Sequence, residues 1–166
     1  MYRQRQGHLS HSQQASSGVS RFLKGKSILE KRPERKERQI LMRVIDSSGW
    51  IEYFLNGPVA ERYAHFLERP QEIITPTIVL YEVYKKVKKE SDQEWALEAA
   101  EQMERTQVAD LSSAIAYEAA DWSLSEGLAM ADAIVYTTAR FYKAELVTSD
   151  IDFKGLPGVR FISSKE

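Results

Sequence analysis

The sequence predicts an α/β fold in which a mostly parallel sheet of four or five strands is flanked by helices. Two observations carry this prediction. Short apolar runs of strand length alternate with longer stretches whose apolar residues recur at helical spacing. The first of these runs, Met42–Asp46 (MRVID), ends on an acid, as strands of parallel sheets often do where they approach a site. Alternation of the two periods requires crossover connections, and these place helices on the faces of the sheet. The sequence shows no internal repeat.

Met42–Asp46 is the first strand, and Ser47 or Ser48 is placed to cap the helix that follows through Trp50, Tyr53, Phe54 and Leu55. Asn56-Gly57-Pro58 ends that helix, and Pro58 suits the start of a second one reaching about Glu68. Its apolar positions Val59, Tyr63, Phe66 and Leu67 share one face. Gln71–Thr75 is a second strand. A long helix from about Pro76 carries Ile78, Val79, Val83 and Val87 inward and ends among lysines. Asp92–Arg105 is a further helix, with Trp95, Leu97, Ala99 and Met103 expected inside. Thr106–Leu111 is a third strand. Ser112–Ser125 is helical and stops at Gly127, and Ala131–Lys143 is the last helix. Glu145–Thr148 is a fourth strand and Val159–Ile162 a fifth.

Composition narrows the function. With 166 residues, 43% hydrophobic and 28% charged, the chain has the makeup of one water-soluble domain. The absence of cysteine excludes a disulfide scaffold, a thiolate zinc site and a cysteine nucleophile. Three histidines, His8, His11 and His65, make a histidine-rich metal site an unfavourable reading. No apolar run approaches the roughly 18–20 residues of a membrane span, and the N-terminus lacks the apolar core of a secretory signal, so a cytoplasmic location is expected. Charge is divided sharply. Residues 1–41 hold ten Lys/Arg against three Asp/Glu, whereas the remainder holds 13 against 21. An acidic body is a poor general binder of phosphate backbones, so acids in a nucleic-acid protein would serve chemistry through metal ions.

Four acids stand out. Asp46 follows R-V-I and Asp150 follows L-V-T-S, both at strand ends. Glu82 sits in V-L-Y-E-V-Y-K, where a charge among apolar neighbours is costly unless it is paired. Asp132 opens A-D-A-I-V-Y on the last helix. Each has an ordinary structural reading: a turn or cap residue for Asp46 and Asp150, an N-terminal cap for Asp132. Drawn into one crevice, however, four carboxylates repel and raise one another's pKa unless cations neutralise them. Magnesium and manganese favour such oxygen donors. A divalent ion there can lower the pKa of a bound water, and a second about 3.5–4 Å away can stabilise a leaving oxygen.

The phrases V-I-D-S-S-G-W-I, T-I-V-L-Y-E-V, M-A-D-A-I-V-Y-T-T-A and L-V-T-S-D-I-D-F-K-G-L-P-G-V resemble the PIN-domain nucleases, and within them the VapC-type toxins of toxin–antitoxin pairs. The resemblance spans residues 42–166, and the four acids follow one another at intervals of 36, 50 and 18 residues. It implies a PIN-like three-layer fold and a ribonuclease dependent on Mg2+ or Mn2+ that cuts single-stranded RNA. Asp46, Glu82, Asp132 and Asp150 are then the metal-binding and catalytic acids. Asp152 is a secondary candidate that also reads as a loop-shaping residue, and Thr148 resembles the family's supporting hydroxyl. Ser47 reads as a helix cap. The same resemblance implies a homodimer and a cognate antitoxin whose basic or aromatic residues enter the acidic groove. Tyr53, Tyr81 and Tyr84 are candidates to line it, and Trp50 and Phe54 read as core. Lys85, Lys86, Lys88 and Lys89 read either as a solvated helix end or as a grip on RNA phosphates.

Residues 1–41 form a basic, polar N-terminal extension with the composition of disorder. Three readings are open: an over-long gene start with Met42 as initiator, a flexible arm that holds RNA, or an antitoxin-like tail carrying L-K-G-K-S-I-L-E-K-R. Two further functions compete with the toxin: a PIN-type nuclease of RNA processing or of DNA, and a non-catalytic binding module. A phosphotransfer protein does not fit, because Asp46-Ser47-Ser48 lacks the D-x-D that such a phosphatase needs after its first strand.

Overall fold

The computed structural model describes residues 41–163, and the expectations for the N-terminal extension fall outside them except at Leu41. The chain runs β1 (Arg43–Ile45), α1 (Ser47–Phe54), α2 (Ala60–Leu67), β2 (Ile73–Pro76), α3 (Thr77–Glu90), α4 (Gln93–Glu104), β3 (Gln107–Ala109), α5 (Ser113–Glu126), α6 (Met130–Phe141), β4 (Glu145–Thr148) and β5 (Val159–Phe161). All five strands are parallel, in the order β3-β2-β1-β4-β5, and six helices flank them. The chain therefore leaves β1 to one side of the sheet and returns to pair β4 on its other side, with Ile45 opposite Val147. Strand order reverses between β1 and β4, which opens a crevice at their carboxyl ends.

Local chemistry explains most boundaries. Asn56 adopts a left-handed conformation (φ 54°) just after α1, and Gly127 does the same (φ 73°) after α5. Asp92 and Ser112 cap α4 and α5 through their side chains. Pro76 precedes the first turn of α3, where a missing N–H costs nothing. Two expectations about caps fail. The cap of α1 is Asp46 itself, whose carboxylate accepts from the Ser48 N–H, rather than Ser47 or Ser48. Asp132 caps nothing: Ala129 occupies the cap position of α6 without a side-chain bond, and Asp132 lies two residues inside the helix.

The core is one cluster around the sheet: Val44, Ile45, Ile73, Ile74, Leu146 and Val147 from the strands, with Val79, Val83 and Val87 from α3 and Ala133 to Ala139 from α6. Trp50 and Phe54 are buried as expected and stack at 5.6 Å, while Trp95 packs edge-on to Phe54 and donates to its carbonyl. Leu97, expected inside, is exposed; Ala96 and Ala99 fill the inner face of α4 instead, because Trp95 and Met103 already set its orientation.

At the amino ends of the strands, charges are paired. Arg43 bridges Glu72 at 3.0 Å and Glu145 at 3.5 Å, Arg160 adds Glu145 at 3.1 Å, and Arg69 reaches Glu72. Among the described residues no helix is long and apolar enough to cross a membrane. Gly49 marks a close approach between α1 and α2. A Cβ there would stand 2.3 Å from Tyr63 Cε1 and 2.9 Å from Ile45 Cγ2, so α1 and α2 meet only because position 49 is bare. Gly49→Ala is expected to destabilise the protein by about 1–3 kcal/mol through overpacking, against about 1 kcal/mol gained in helix propensity. Denaturant unfolding should show the lower midpoint.

Candidate active site

The crevice between β1 and β4 gathers the acids. Asp46 lies immediately past β1 and is only 2% exposed. Its Oδ2 accepts from Ser48 Oγ at 2.7 Å, from Thr148 Oγ1 at 2.9 Å and from the Ser48 N–H at 3.4 Å. Thr148, fully buried at the end of β4, also accepts from the Asp150 N–H at 2.9 Å. One hydroxyl thus ties the β1 acid to the loop that carries Asp150. That loop begins with a 3-10 turn, Ile151–Phe153, capped by Asp150 and pinned by the fully buried Phe153. Asp152 is exposed on it, and its N–H donates to Asp150 Oδ1 at 3.0 Å.

Two helices bring the remaining acids. Glu82 is half-buried on α3, within reach of the Ser47 hydroxyl. Asp132 is half-buried in the first turn of α6, where the helix dipole favours a negative charge. The ionisation of these groups shows that they share one neighbourhood. Burial raises the Asp132 carboxyl to about 6, and the charges of Asp46, Asp150, Glu82 and Asp152 push in the same direction. Burial raises Glu82 too, and Asp46 adds to that, while the Ser47 hydroxyl and Lys85 oppose it. Asp46 is raised by burial against the pull of its hydrogen bonds.

No ion pair among the described residues engages any of these five acids, in contrast to the arginine-paired acids at the other end of the sheet. Nor do three of them stand close enough together to form a ready-made metal cage. The donor set nonetheless fits a hard divalent cation: carboxylate oxygens only, mutually repelling, with no ion pair among the described residues to neutralise them.

Three further residues, Ser48, Ser149 and Tyr63, support the site. The Ser48 hydroxyl, besides donating to Asp46, lies 3.4 Å from Thr148 Oγ1 and accepts from Ser149 N and Oγ, each at 3.4 Å. Behind it lies Tyr63, fully buried, its phenol pushed up to about 12 by burial, an effect that the neighbouring Ser149 and Ser48 hydroxyls oppose. Ser48 and Ser149 are 101 residues apart in sequence, so only their tertiary placement reveals the arrangement.

The sequence matches the PIN domain family over residues 43–159, and the chain belongs to this family of nucleases. Its fold is similar to that of a toxin–antitoxin complex from Klebsiella pneumoniae, with TM-score 0.62 and 24% identity over 75% of this chain and 98% of that one. It is also similar to VapC20 of Mycobacterium tuberculosis, described as a toxin that cleaves the sarcin-ricin loop, with TM-score 0.58 and 14% identity over 68% of this chain and 91% of that one. A third likeness is to DNA-bound VapBC from Salmonella typhimurium, with TM-score 0.57 and 20% identity over 75% and 98% of the two chains. At these identities the likeness is one of fold. No curated protein matches the sequence.

The raised carboxyls set a pH dependence. In the folded protein Asp46, Glu82 and Asp132 hold protons at pH values where the unfolded chain has released them. Their favourable contribution is present below the ordinary carboxyl pKa and is lost as pH rises through about 6, the value for Asp132. In EDTA, Asp132→Asn should therefore melt higher than wild type at pH 7.5, and the difference should narrow markedly at pH 4.5. Thermal melts at the two pH values check this.

Proposed function

We propose that this protein is a metal-dependent endoribonuclease that cuts single-stranded RNA as the cytoplasmic toxin of a toxin–antitoxin pair. The observation that carries the reading is the set of five acids at the β1/β4 crevice that lack any ion pair, with Asp132 displaced to about 6 by burial and by the other four. Such a set is costly to keep unless a cation completes it.

Asp46 and Asp132 are the residues that would hold Mg2+ or Mn2+, with Glu82 and Asp150 beside them and Asp152 at the rim. A divalent ion bound there supplies charge neutralisation on the phosphodiester and a water of lowered pKa. The chain's own groups do the positioning. Thr148 and Ser48 fix one oxygen of Asp46, so that the carboxylate cannot swing with its neighbours' charge. The Ser47 hydroxyl near Glu82 favours its charged form. The helix terminus beneath Asp132 favours the charged form that a cation requires.

The toxin role rests on the fold shared with toxin–antitoxin proteins, and RNA as substrate on that role. Tyr117, Leu124 and Met130 remain largely exposed on a single chain, which supports a protein partner, either an antitoxin or a second copy in a homodimer. We assign the catalytic domain to residues 42–166, with residues 1–41 as a basic extension of it.

The test is direct. Full-length chain is incubated with single-stranded RNA, duplex RNA and single-stranded DNA in magnesium, manganese or EDTA. Metal-dependent cutting of single-stranded RNA, abolished in Asp46→Asn, is expected; folded protein that cuts nothing in either metal overturns the nuclease, and preferential cutting of DNA overturns the substrate. Growth arrest on expression, relieved by Asp46→Asn, tests the toxin role. Thr148→Val, which removes the hydrogen bonds to Asp46 and from the Asp150 N–H, is expected to lower the cleavage rate about 10–100-fold and also to lower the melting temperature, since a buried carboxylate loses one of its donors.

A further inference from the structure

We infer that the exposed face of α3 beside Glu82 is a binding track for unpaired RNA, with Tyr81 as a base-stacking platform and Lys85 and Lys88 as phosphate contacts. The inference rests on the proposed reading of the acids as a ribonuclease site and extends it to how substrate is held.

The end of α3 carries four lysines, and the structure sorts them. Lys86 is drawn away into an ion pair with Glu90 at 3.0 Å. Lys85 instead lies over the Tyr81 ring, 5.4 Å from its centroid, and its Nζ reaches the phenol oxygen at 3.5 Å. One turn on, Lys88 repeats the arrangement over Tyr84 at 5.5 Å. Residues 81, 84, 85 and 88 follow helical i, i+3, i+4, i+7 spacing and so share one face. Ring and ammonium alternate along it. Among the described residues Lys85 and Lys88 make no ion pair with an acid, although Lys85 is close enough to Glu82 to lower its pKa.

The track begins at the acids. Tyr81 precedes Glu82 directly, and with Lys85 above it the ring is still 59% exposed, leaving surface on which a base can stack. Tyr84 is half-buried against the core, which fixes the second ring and the lysine above it. An exposed aromatic interleaved with unpaired cations is the chemistry that holds single-stranded nucleic acid. Stacking tolerates any base, cations follow the backbone, and a duplex hides its base faces. A second copy of this chain is a poor occupant, since its symmetric contact would bring lysines against lysines.

The experiment is fluorescence anisotropy of the full chain with a labelled single-stranded RNA of mixed sequence, and with its duplex, in EDTA so that nothing is cut. Tyr81→Ala should weaken single-strand binding at least about 5-fold, and Tyr81→Phe should restore it. Lys85→Ala with Lys88→Ala should reduce the salt dependence, log Kd against log salt, by about 1.4, or about 0.7 per phosphate contact. Lys86→Ala should change little. The inference is overturned if the wild-type chain binds no RNA, if Tyr81→Ala binds like wild type, or if Lys86→Ala weakens binding as much as the Lys85/Lys88 pair. The wild-type chain separates the two readings: if it binds RNA through the track but shows no metal-dependent cleavage, the track stands and the nuclease is removed.

Discussion

A carboxylate held out of water at the point where the sheet reverses its strand order is the constraint on which the rest of this site depends. Asp46 is nearly fully buried, and removing a carboxylate from water is tolerable only when hydrogen bonds compensate it. Thr148 and Ser48 supply them, and each therefore has a fixed place. Thr148 sits at the end of the neighbouring strand, so β1 and β4 must end together, as their register ensures. Ser48 lies in the first turn of α1, so that helix must begin at once. It can do so only because Gly49 leaves room for the Tyr63 ring of α2.

The two ends of the sheet show opposite treatments of charge. At the amino ends, Glu72 and Glu145 meet Arg43, Arg69 and Arg160, and the charges neutralise one another within the chain. At the carboxyl ends, Asp46, Glu82, Asp132, Asp150 and Asp152 share one neighbourhood without an arginine among them, and Asp132 rises to about 6 through burial first and the other four charges second. The fold has the means to pair acids and does so where pairing serves structure. Leaving five unpaired around a crevice stores an attraction for an external cation, at the expense of the stability of the metal-free protein.

Much of this was legible in the sequence because the signals are local. Strand-length apolar runs ending at Asp46 and Thr148, and punctuation by Asn56, Gly57 and Gly127, locate the elements to within a few residues and place two acids at strand ends. Alternation of strands and helices gives the parallel sheet, and the PIN family follows from phrases around the four acids. What was not legible is what depends on packing. Ser47 and Ser48 read as helix caps, yet Asp46 caps α1 and frees Ser48 to reach Thr148 and Ser149 across the sheet. Asp132 read alone as a cap lies inside its helix. Leu97 has the right spacing for the core and still faces out, because the orientation of α4 is set by Trp95 against Phe54. Tyr63 gave no sign beyond helical spacing that it would pack beneath the acids.

The most direct test of the central claim is anomalous diffraction from crystals of the protein grown with manganese. The account predicts an anomalous peak at the β1/β4 crevice, coordinated by the Asp46 carboxylate and shared with Asp132, with Thr148 and Ser48 still bonded to the other oxygen of Asp46. A crevice without manganese, in crystals whose ion binds surface acids elsewhere, would contradict it.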